Sequence, residues 1–278
     1  MSKWLMRPVD VIRKTVDCTT RRMKAYLAFP MKQHFQSRFP WLSDSTLRLQ
    51  EIVSTDPIFS SVRGLQGELC AQIFYGLTSH MINVYPMKSK KEFLKVYKEF
   101  IRDQGVPSIL RRDNALEEKS KEVLAFNRDL FVKEQYAEPG YQHQNPVETQ
   151  AIRFLKQAIC TTLDRSGAPE SAWYFACQHV ARIHNLTSDM TLPNSITPYQ
   201  ARFGRVPDIS TLIDFRFWEP IYYLDPNVSF PHSKEKKGYW AGLADTIGDA
   251  LTYWIVPENS RMELCQPLPR SVLRSAAD

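Results

Sequence analysis

The chain has 278 residues, of which 43% are hydrophobic and 24% are charged. These values are typical of a folded globular protein, and the length suffices for one or two domains with a sizeable core. The sequence holds no run of eighteen apolar residues, and its start is too short and interrupted for a signal peptide. We therefore predict neither a membrane-spanning helix nor secretion.

The formal net charge is +6, and its distribution is uneven. Residues 1–48 carry ten Lys and Arg against three Asp, a net charge of +7, so the rest of the chain sums to −1. This excess weakly favours a polyanionic partner. The five cysteines are scattered without a Cys-x-x-Cys pair, which predicts reduced thiols inside a cell and argues against a disulfide scaffold or a zinc cluster.

The basic charge coincides with a helix predicted over residues 8–26, where apolar residues recur at helical intervals among Arg and Lys. Its last turn holds Arg21, Arg22 and Lys24 as candidate DNA contacts. The alternative is a solvated basic helix that packs on another part of the protein.

A mixed α/β pattern follows. Three strands are predicted over residues 49–55, 68–75 and 80–85, because β-branched and aromatic residues alternate with short turns that contain Gly. Ser89 and Glu92 form a predicted capping box that opens a helix running to Asp103. A strand over 108–112, a helix over 117–126 and a strand over 130–136 complete this part.

Three acidic residues stand at the ends of these elements. Asp56 closes the first predicted strand, Asp113 follows the fourth, and Glu148 lies in the first turn of a helix that begins at Pro146. The last two are separated by 34 residues. Carboxylates brought together at one sheet edge form a hard oxygen site suited to two Mg²⁺ or Mn²⁺ ions, which can hold the attacking and leaving oxygens of a phosphoryl transfer.

Each acid also has an ordinary structural interpretation. Asn145, Pro146 and Glu148 match a helix N-terminus, with Asn as N-cap and Glu as its capping-box partner. Asp113 would then belong to a turn, and Asp56 to a strand exit before Pro57. The order and spacing of the three acids together favour the metal site.

The second half begins with the helix that follows Pro146 and is predicted to reach Leu163. Its apolar residues share one face, whereas Arg153 and Lys156 lie towards the other. His143, in the loop before it, is interpreted as a surface residue and not as a catalytic one. A further helix carries Trp173, which we assign to the core.

The composition changes after Asn185. Residues 188–212 are rich in Pro, Ser and Thr and are predicted to be a linker with one short helix near 198–203. Short aromatic-rich strands separated by turns then favour a small β-barrel. The predicted strands are 215–224, 238–244, 250–256, 262–266 and 272–274. We expect their aromatic residues to form a core and not a DNA-binding platform.

Several of these motifs resemble the retroviral-type integrase core, and within it the Ty1/copia group of LTR retrotransposons, including forms met in diatoms. The resemblance rests on Thr-Asp-Pro-Ile-Phe-Ser at 55–60, Arg-Asp-Asn at 112–114 and Asn-Pro-Val-Glu at 145–148. The copia type is indicated by Thr-Pro-Tyr at 197–199 and Phe-Gly-Arg-Val-Pro-Asp at 203–208. The acidic triad is specific only in combination with these other motifs.

The resemblance implies a ribonuclease H-like core, a mixed five-stranded sheet with flanking helices, and a C-terminal SH3-like β-barrel. The implied domains are a basic N-terminal segment (1–45), the catalytic core (46–187), the linker (188–212) and the β domain (213–278). The zinc module that precedes the core in the family is missing, since no His occurs before His34. We therefore expect a copy that starts after that module or an incomplete reading frame.

The resemblance also implies chemistry. Asp56, Asp113 and Glu148 would hold two Mg²⁺ or Mn²⁺ ions for trimming of the 3′ ends of element DNA and their joining to target DNA. Arg153 and Lys156 would contact DNA. The expected partners are element and target DNA and further copies of this chain, without a membrane or a small-molecule cofactor, and the expected location is the nucleus.

Two rival hypotheses remain. One is a catalytically inactive or domesticated integrase remnant that only binds DNA, which the missing zinc module and the slightly short interval before Glu148 favour. The other is a ribonuclease H-type hydrolase that cuts the RNA of a hybrid, although the copia-like motifs argue against it.

Overall fold

A computed structural model describes residues 5–21, 47–112, 120–136, 146–245, 247, 251–258 and 266–277. Asp113, Arg22, Lys24 and His143 lie outside the described residues. Within the described part of the chain, no helix has both the length and the apolar character that a membrane crossing requires.

The first sheet has five strands in the order β3-β2-β1-β4-β5. β1 pairs antiparallel with β2 and parallel with β4, β2 pairs antiparallel with β3, and β4 pairs parallel with β5. This mixed arrangement confirms the predicted ribonuclease H-like core. The strands are β1 (Arg48–Phe59), β2 (Cys70–Gly76), β3 (Ile82–Met87), β4 (Val106–Arg112) and β5 (Lys133–Tyr136).

Helices cover both faces of this sheet, which explains why every residue of the inner strand β2 is buried. One face packs against α2 (Phe93–Gln104) and α3 (Lys121–Asp129) around Phe74, Tyr97 and Phe100. The opposite face packs against α4 (Arg153–Ser166) and α5 (Trp173–Leu186) around Ile73, Leu155 and Phe175.

The N-terminal helix is shorter than predicted. The helix α1 covers Val9–Cys18, and Thr19 is extended, so the prediction of a helix over 8–26 is wrong at its C-terminal end. Thr20 instead forms a parallel β-bridge with Asp208. This pairing competes with helix continuation because it satisfies the backbone of Thr20 from another part of the chain.

The capping box predicted from Ser89 and Glu92 before α2 does not form. Ser89 makes no side-chain cap, and a 3₁₀ turn over Lys90–Glu92 precedes the helix. The Glu92 carboxylate does accept a hydrogen bond from the backbone N–H of Lys88 at 2.6 Å. At the other end, Gly105 ends α2 with φ +114°, where a Cβ would lie 2.6 Å from the Leu47 carbonyl oxygen.

The C-terminal sheet has five antiparallel strands in the order β10-β6-β7-β8-β9. Among the described residues no pairing joins the edge strands β9 and β10, so the SH3-like barrel stays a prediction. The ninth strand covers Leu268–Arg270, and the strand predicted at 262–266 lies outside the described residues except for Gln266. The strands are β6 (Pro220–Leu224), β7 (Glu235–Leu243), β8 (Tyr253–Pro257), β9 (Leu268–Arg270) and β10 (Leu273–Ser275).

The two sheets share one hydrophobic cluster through α5. Trp173 is buried, as predicted, and so are Trp218, Trp240 and Tyr253 of the C-terminal part. The short helix α6 (Pro198–Phe203) lies between the two sheets in the chain, at the predicted position. The aromatic residues of the C-terminal strands thus form a core that continues into the helical layer.

Candidate active site

Asp56 lies within β1, and it does not close the strand as predicted. Its Cα partner on β2 is Ile73, and β1 continues to Phe59. On the other side, pairing with β4 ends at Thr55 and Arg112. Pro57 therefore lies beyond the last pairing between β1 and β4 that the described residues show.

The end of β4 brings the chain to the second predicted acid. Arg112 pairs with Thr55, the residue before Asp56, and Arg112 is itself the residue before Asp113. The predicted strand end at 112 agrees with β4. Asp113 itself is not described, so its role stays a prediction.

Glu148 lies in a π-helical turn that covers Val147–Ile152 and leads into α4. The predicted α-helix from Pro146 to Leu163 is thus wrong in its first turns and three residues short at its end. The π turn contacts both β1 and β2. Val147, Ala151 and Ile152 are buried in it, whereas Glu148 is exposed. π-Helical turns occur frequently at functional sites.

Asp56 and the π turn belong to the same face of the first sheet. Side chains alternate along a strand, so Asp56 shares its face with Ile58, which packs in one cluster with Val147 and Ala151. Glu148 begins the segment that covers this face. We call Asp56 of β1, together with Glu148 of the π turn, the acidic edge. Asp56 is partly buried and Glu148 is solvent-exposed there.

A positively charged side chain, that of Arg111, lies on the same face, one residue before Arg112 on β4. Arg111 pairs with Ser54 in the parallel register, so Arg111, Ser54 and Asp56 share a face. Two guanidinium nitrogens of Arg111, Nε and Nη2, donate to Gln135 Oε1 at 3.2 and 2.9 Å. Arg111 was not among the predicted site residues, although strand alternation from Asp113 places it on this face.

The opposite face holds polar residues at the same level of the sheet. Thr55 is fully buried; it donates to the Ile73 carbonyl at 2.8 Å and accepts from the Gln72 amide at 2.7 Å. The side chain of Arg112 is also fully buried, and Nη2 lies 3.0 Å from Glu134 Oε1 and 3.0 Å from the Tyr136 hydroxyl. These residues cross four neighbouring strands, and we call them the polar belt: Gln72, Thr55, Arg112, Glu134 and Tyr136.

The polar belt is tied to α3 and is electrostatically balanced. Asn127 of α3 donates to Glu134 Oε1 at 2.5 Å, and the Tyr136 hydroxyl donates to Glu134 Oε2. Burial raises the pKa of Glu134, but hydrogen bonds from Asn127 and Tyr136 and the charge of Arg112 outweigh it, so the pKa lies below its usual range. Glu134 is therefore a carboxylate at neutral pH.

The candidate DNA contacts on α4 are exposed. Arg153 and Lys156 are three residues apart and point to the same side of the helix, together with Gln157 and Cys160. This exposed stripe leads away from Glu148 along α4. Arg21 is also exposed.

A second buried ion pair joins α6 to the other end of the sheet. Arg202 Nε lies 2.7 Å from Glu51 Oε1, with side-chain exposures of 1% and 7%. Arg202 Nη1 also donates to Asn83 Oδ1 at 2.6 Å. Arg202 belongs to the segment between the Thr-Pro-Tyr and Phe-Gly-Arg motifs, so that segment docks the short helix onto β1 and β3.

Among the residues that the structure describes, no three His, Cys, Asp or Glu side chains are grouped as a metal site. The described part of the predicted triad supplies two of the three carboxylates, Asp56 and Glu148.

No family model matches the sequence, and no curated protein matches it. Among solved structures, the HTLV-2 integrase catalytic core domain in complex with magnesium is similar at 15% identity and a TM-score of 0.45. That similarity covers 57% of this chain and 99% of the HTLV-2 domain. An integrase chain in the intasome of simian T-cell lymphotropic virus, solved with the PP2A regulatory subunit B56 gamma, has 15% identity and a TM-score of 0.47, covering 84% of this chain and 80% of that chain.

The catalytic core domain of BIV integrase is also similar, at 13% identity and a TM-score of 0.44, over 56% of this chain and 95% of that domain. These identities and TM-scores are too low to assign the chain to a family. The ribonuclease H-like topology rests on the strand order and pairing described above.

Proposed function

We propose that this protein is a DDE-type polynucleotidyl transferase, an integrase of the Ty1/copia type that joins element DNA to target DNA. The observation that carries the proposal is the acidic edge. The strand order brings Asp56 of β1 next to the end of β4, one residue before Asp113, and Glu148 begins the segment over the same face. The sequence motifs around these three acids support the same chemistry.

The residues present fit a divalent metal. Asp56 and Glu148 offer carboxylate oxygens, the donors that Mg²⁺ and Mn²⁺ prefer, and the π turn that carries Glu148 packs on the sheet face that Asp56 shares. In the proposal, Asp56, Asp113 and Glu148 hold two such ions. When bound, these ions would neutralise charge on the phosphoryl group and on the attacking and leaving oxygens.

The protein's own contribution in this proposal is positioning. β1 and the π turn hold their carboxylates on packed elements, because Thr55 and Ile58 of β1 and Val147 and Ala151 of the π turn are buried. Phosphoryl transfer needs no covalent protein nucleophile, so carboxylates that bind metal suffice for both the 3′-end trimming and the strand transfer.

We further propose that DNA follows the exposed face of α4. Arg153 and Lys156 extend from the acidic edge on a stripe without described acidic residues before Asp164. Their positive charges suit contacts to phosphate oxygens. Arg21, Arg22 and Lys24 are proposed as additional phosphate contacts, and the reaction would take place in the nucleus on an oligomer of this chain.

The test is disintegration of a branched oligonucleotide by the full chain with Mn²⁺, comparing wild type, Asp56→Asn and Glu148→Gln. We expect wild-type turnover and no detectable product from either variant, because each loses a charge that balances the metal ions. Asp164→Asn is the matched control, since Asp164 is an exposed acid on the same helix as the stripe.

An active Asp56→Asn variant would show that the acidic edge is not the catalytic site. If wild type bound the DNA with either metal but gave no product, the inactive remnant would be the better description. Cleavage confined to the RNA strand of a hybrid would instead indicate the ribonuclease H-type hydrolase.

A further inference from the structure

The polar belt interrupts an otherwise apolar layer directly beneath the acidic edge. The residues that precede it on the same face, Val53 of β1 and Leu110 of β4, are completely buried and apolar. Thr55 and Arg112 follow them, both with no exposure. Burying a guanidinium costs free energy unless charged and polar partners surround it, so an apolar residue at position 112 would be simpler for stability alone.

The partners of Arg112 connect the ends of two parallel strands. Glu134 and Tyr136 belong to β5, and Tyr136 is the Cα partner of Arg112 as well as the last residue of that strand. The guanidinium carbon of Arg112 also lies 5.2 Å from the centre of the Tyr136 ring. Arg112 is thus held by a charge pair, a hydrogen bond and a ring contact, all from one neighbouring strand.

These strand ends lead into the proposed catalytic segments. The chain passes from Arg112 to Asp113 across one peptide bond, and from Tyr136 into the segment that ends at Glu148. Fixing the Arg112 side chain fixes the backbone from which Asp113 starts, since one residue sets the position and direction of the next. The belt side chains lie on the face opposite to Asp56, so they act through the backbone and not by contact with metal or DNA.

We propose that Arg112, Glu134 and Tyr136 are positioning residues that align the ends of β4 and β5 for metal binding at the acidic edge. This inference rests on the proposed function. It assigns metal affinity in part to an ion pair on the far face of the sheet, where neither the metal nor DNA reaches.

The experiment measures Mn²⁺ binding to the full chain by electron paramagnetic resonance, without DNA or turnover. We expect Glu134→Gln to raise the dissociation constant for Mn²⁺ about tenfold, at the low end of effects seen when groups that orient metal ligands are changed. Tyr136→Phe should raise it by a smaller factor, because it removes one hydroxyl. The Mn²⁺ concentration that gives half-maximal disintegration should rise in parallel.

Two controls separate positioning from general damage. Glu235→Gln breaks a carboxylate–arginine pair of the same kind with Arg274, in the C-terminal sheet. Arg202→Met breaks a buried pair at Glu51, five residues before Asp56 and about 16 Å away along an extended strand. We expect both to leave the Mn²⁺ dissociation constant within twofold of wild type, although Arg202→Met lowers the melting temperature.

The proposal is overturned if Glu134→Gln and Tyr136→Phe bind Mn²⁺ as wild type does while Asp56→Asn binds it more weakly. If Asp56→Asn also binds Mn²⁺ like wild type, the proposed metal site itself is wrong. Should Glu134→Gln fail to fold, Tyr136→Phe decides, because the Tyr136 side chain is 38% exposed and its ring contact with Arg112 remains.

Discussion

At the scale of single residues, the buried charges are the features that most affect stability. The described structure holds two arginine side chains with at most 1% exposure in ion pairs, Arg112 with Glu134 and Arg202 with Glu51. A buried pair as a whole contributes little net stability, but removal of one partner leaves an uncompensated charge in the interior. The two arginines lie towards opposite ends of the same sheet.

Arg202→Met should lower the free energy of unfolding by about 3–5 kcal/mol, because it leaves the Glu51 carboxylate buried without its cation. Burial lowers the pKa of Arg202 and the charge of Glu51 raises it, which reflects the same coupling. Denaturant unfolding followed by circular dichroism measures the change.

The matched control is Arg102→Met. Arg102 pairs with Asp103 on the exposed side of α2, with 69% of its side chain accessible. We expect no measurable change in stability for this variant. Equal losses for both variants would mean that the Glu51 pair does not hold α6 on the sheet.

At the scale of secondary-structure elements, the π turn is the part that local sequence rules did not predict. The periodicity of Val147, Ala151, Leu155 and Ile159 is compatible with a continuous α-helix, and Pro146 is a common first residue of one. A π turn accommodates one more residue than an α turn. Packing of Val147, Ala151 and Ile152 against β1 and β2 decides between the two.

Insertion of one Ala after Thr149 should rotate Glu148 by about 100° relative to α4, because the π turn already accommodates its one extra residue. We expect disintegration to fall about a hundredfold, because small displacements of a positioned group are that costly. Thr149→Ala, which keeps the length of the turn, should retain most of the activity. Equal activity of the insertion and the substitution would show that the π turn does not position Glu148.

At the scale of the whole molecule, the joint between α5 and the C-terminal sheet contains a buried histidine. His179 stacks on Phe217 with ring centres 5.3 Å apart, and its ring lies edge-on to Trp240 at 5.5 Å. Burial lowers the pKa of His179 to about 4, with a further decrease from Arg182. The neutral imidazole therefore belongs to the folded state at neutral pH.

His179 binds a proton near pH 6.5 in the unfolded chain but only near pH 4 in the folded chain. Between these values the unfolded state binds more protons, so stability is complete above about pH 6.5 and falls as the pH decreases towards 4. One such group changes the free energy of unfolding by up to about 1.4 kcal/mol per pH unit in this range. His184, whose pKa burial also lowers to about 4, adds a second.

The measurement is denaturant unfolding at several pH values between about 4 and 7. His179→Leu should reduce the dependence of the unfolding free energy on pH by the contribution of one proton. A full wild-type pH dependence in His179→Leu would contradict the assignment of a buried neutral imidazole.

How far the sequence predicts this protein depends on whether a signal is local. Local sequence patterns were sufficient to predict the presence and order of β1 to β5 and of the short helix α6 at Pro198–Phe203. The end of α1 was missed, because Thr20 pairs with Asp208 almost 190 residues later in the chain. At the acidic edge, strand alternation predicts the face on which Asp56 lies, whereas the π turn that carries Glu148 was not predicted.

The sequence by itself determined the order of the elements and the spacing of the three acids, because hydrophobic periodicity and turn chemistry act over a few residues. Only the tertiary structure decided that Arg112 meets Glu134 and Tyr136, that Arg202 meets Glu51, and that α5 shares a core with the C-terminal sheet. Each of these contacts joins distant parts of the chain. Their free energy depends on which elements pack together, and no local pattern carries that information.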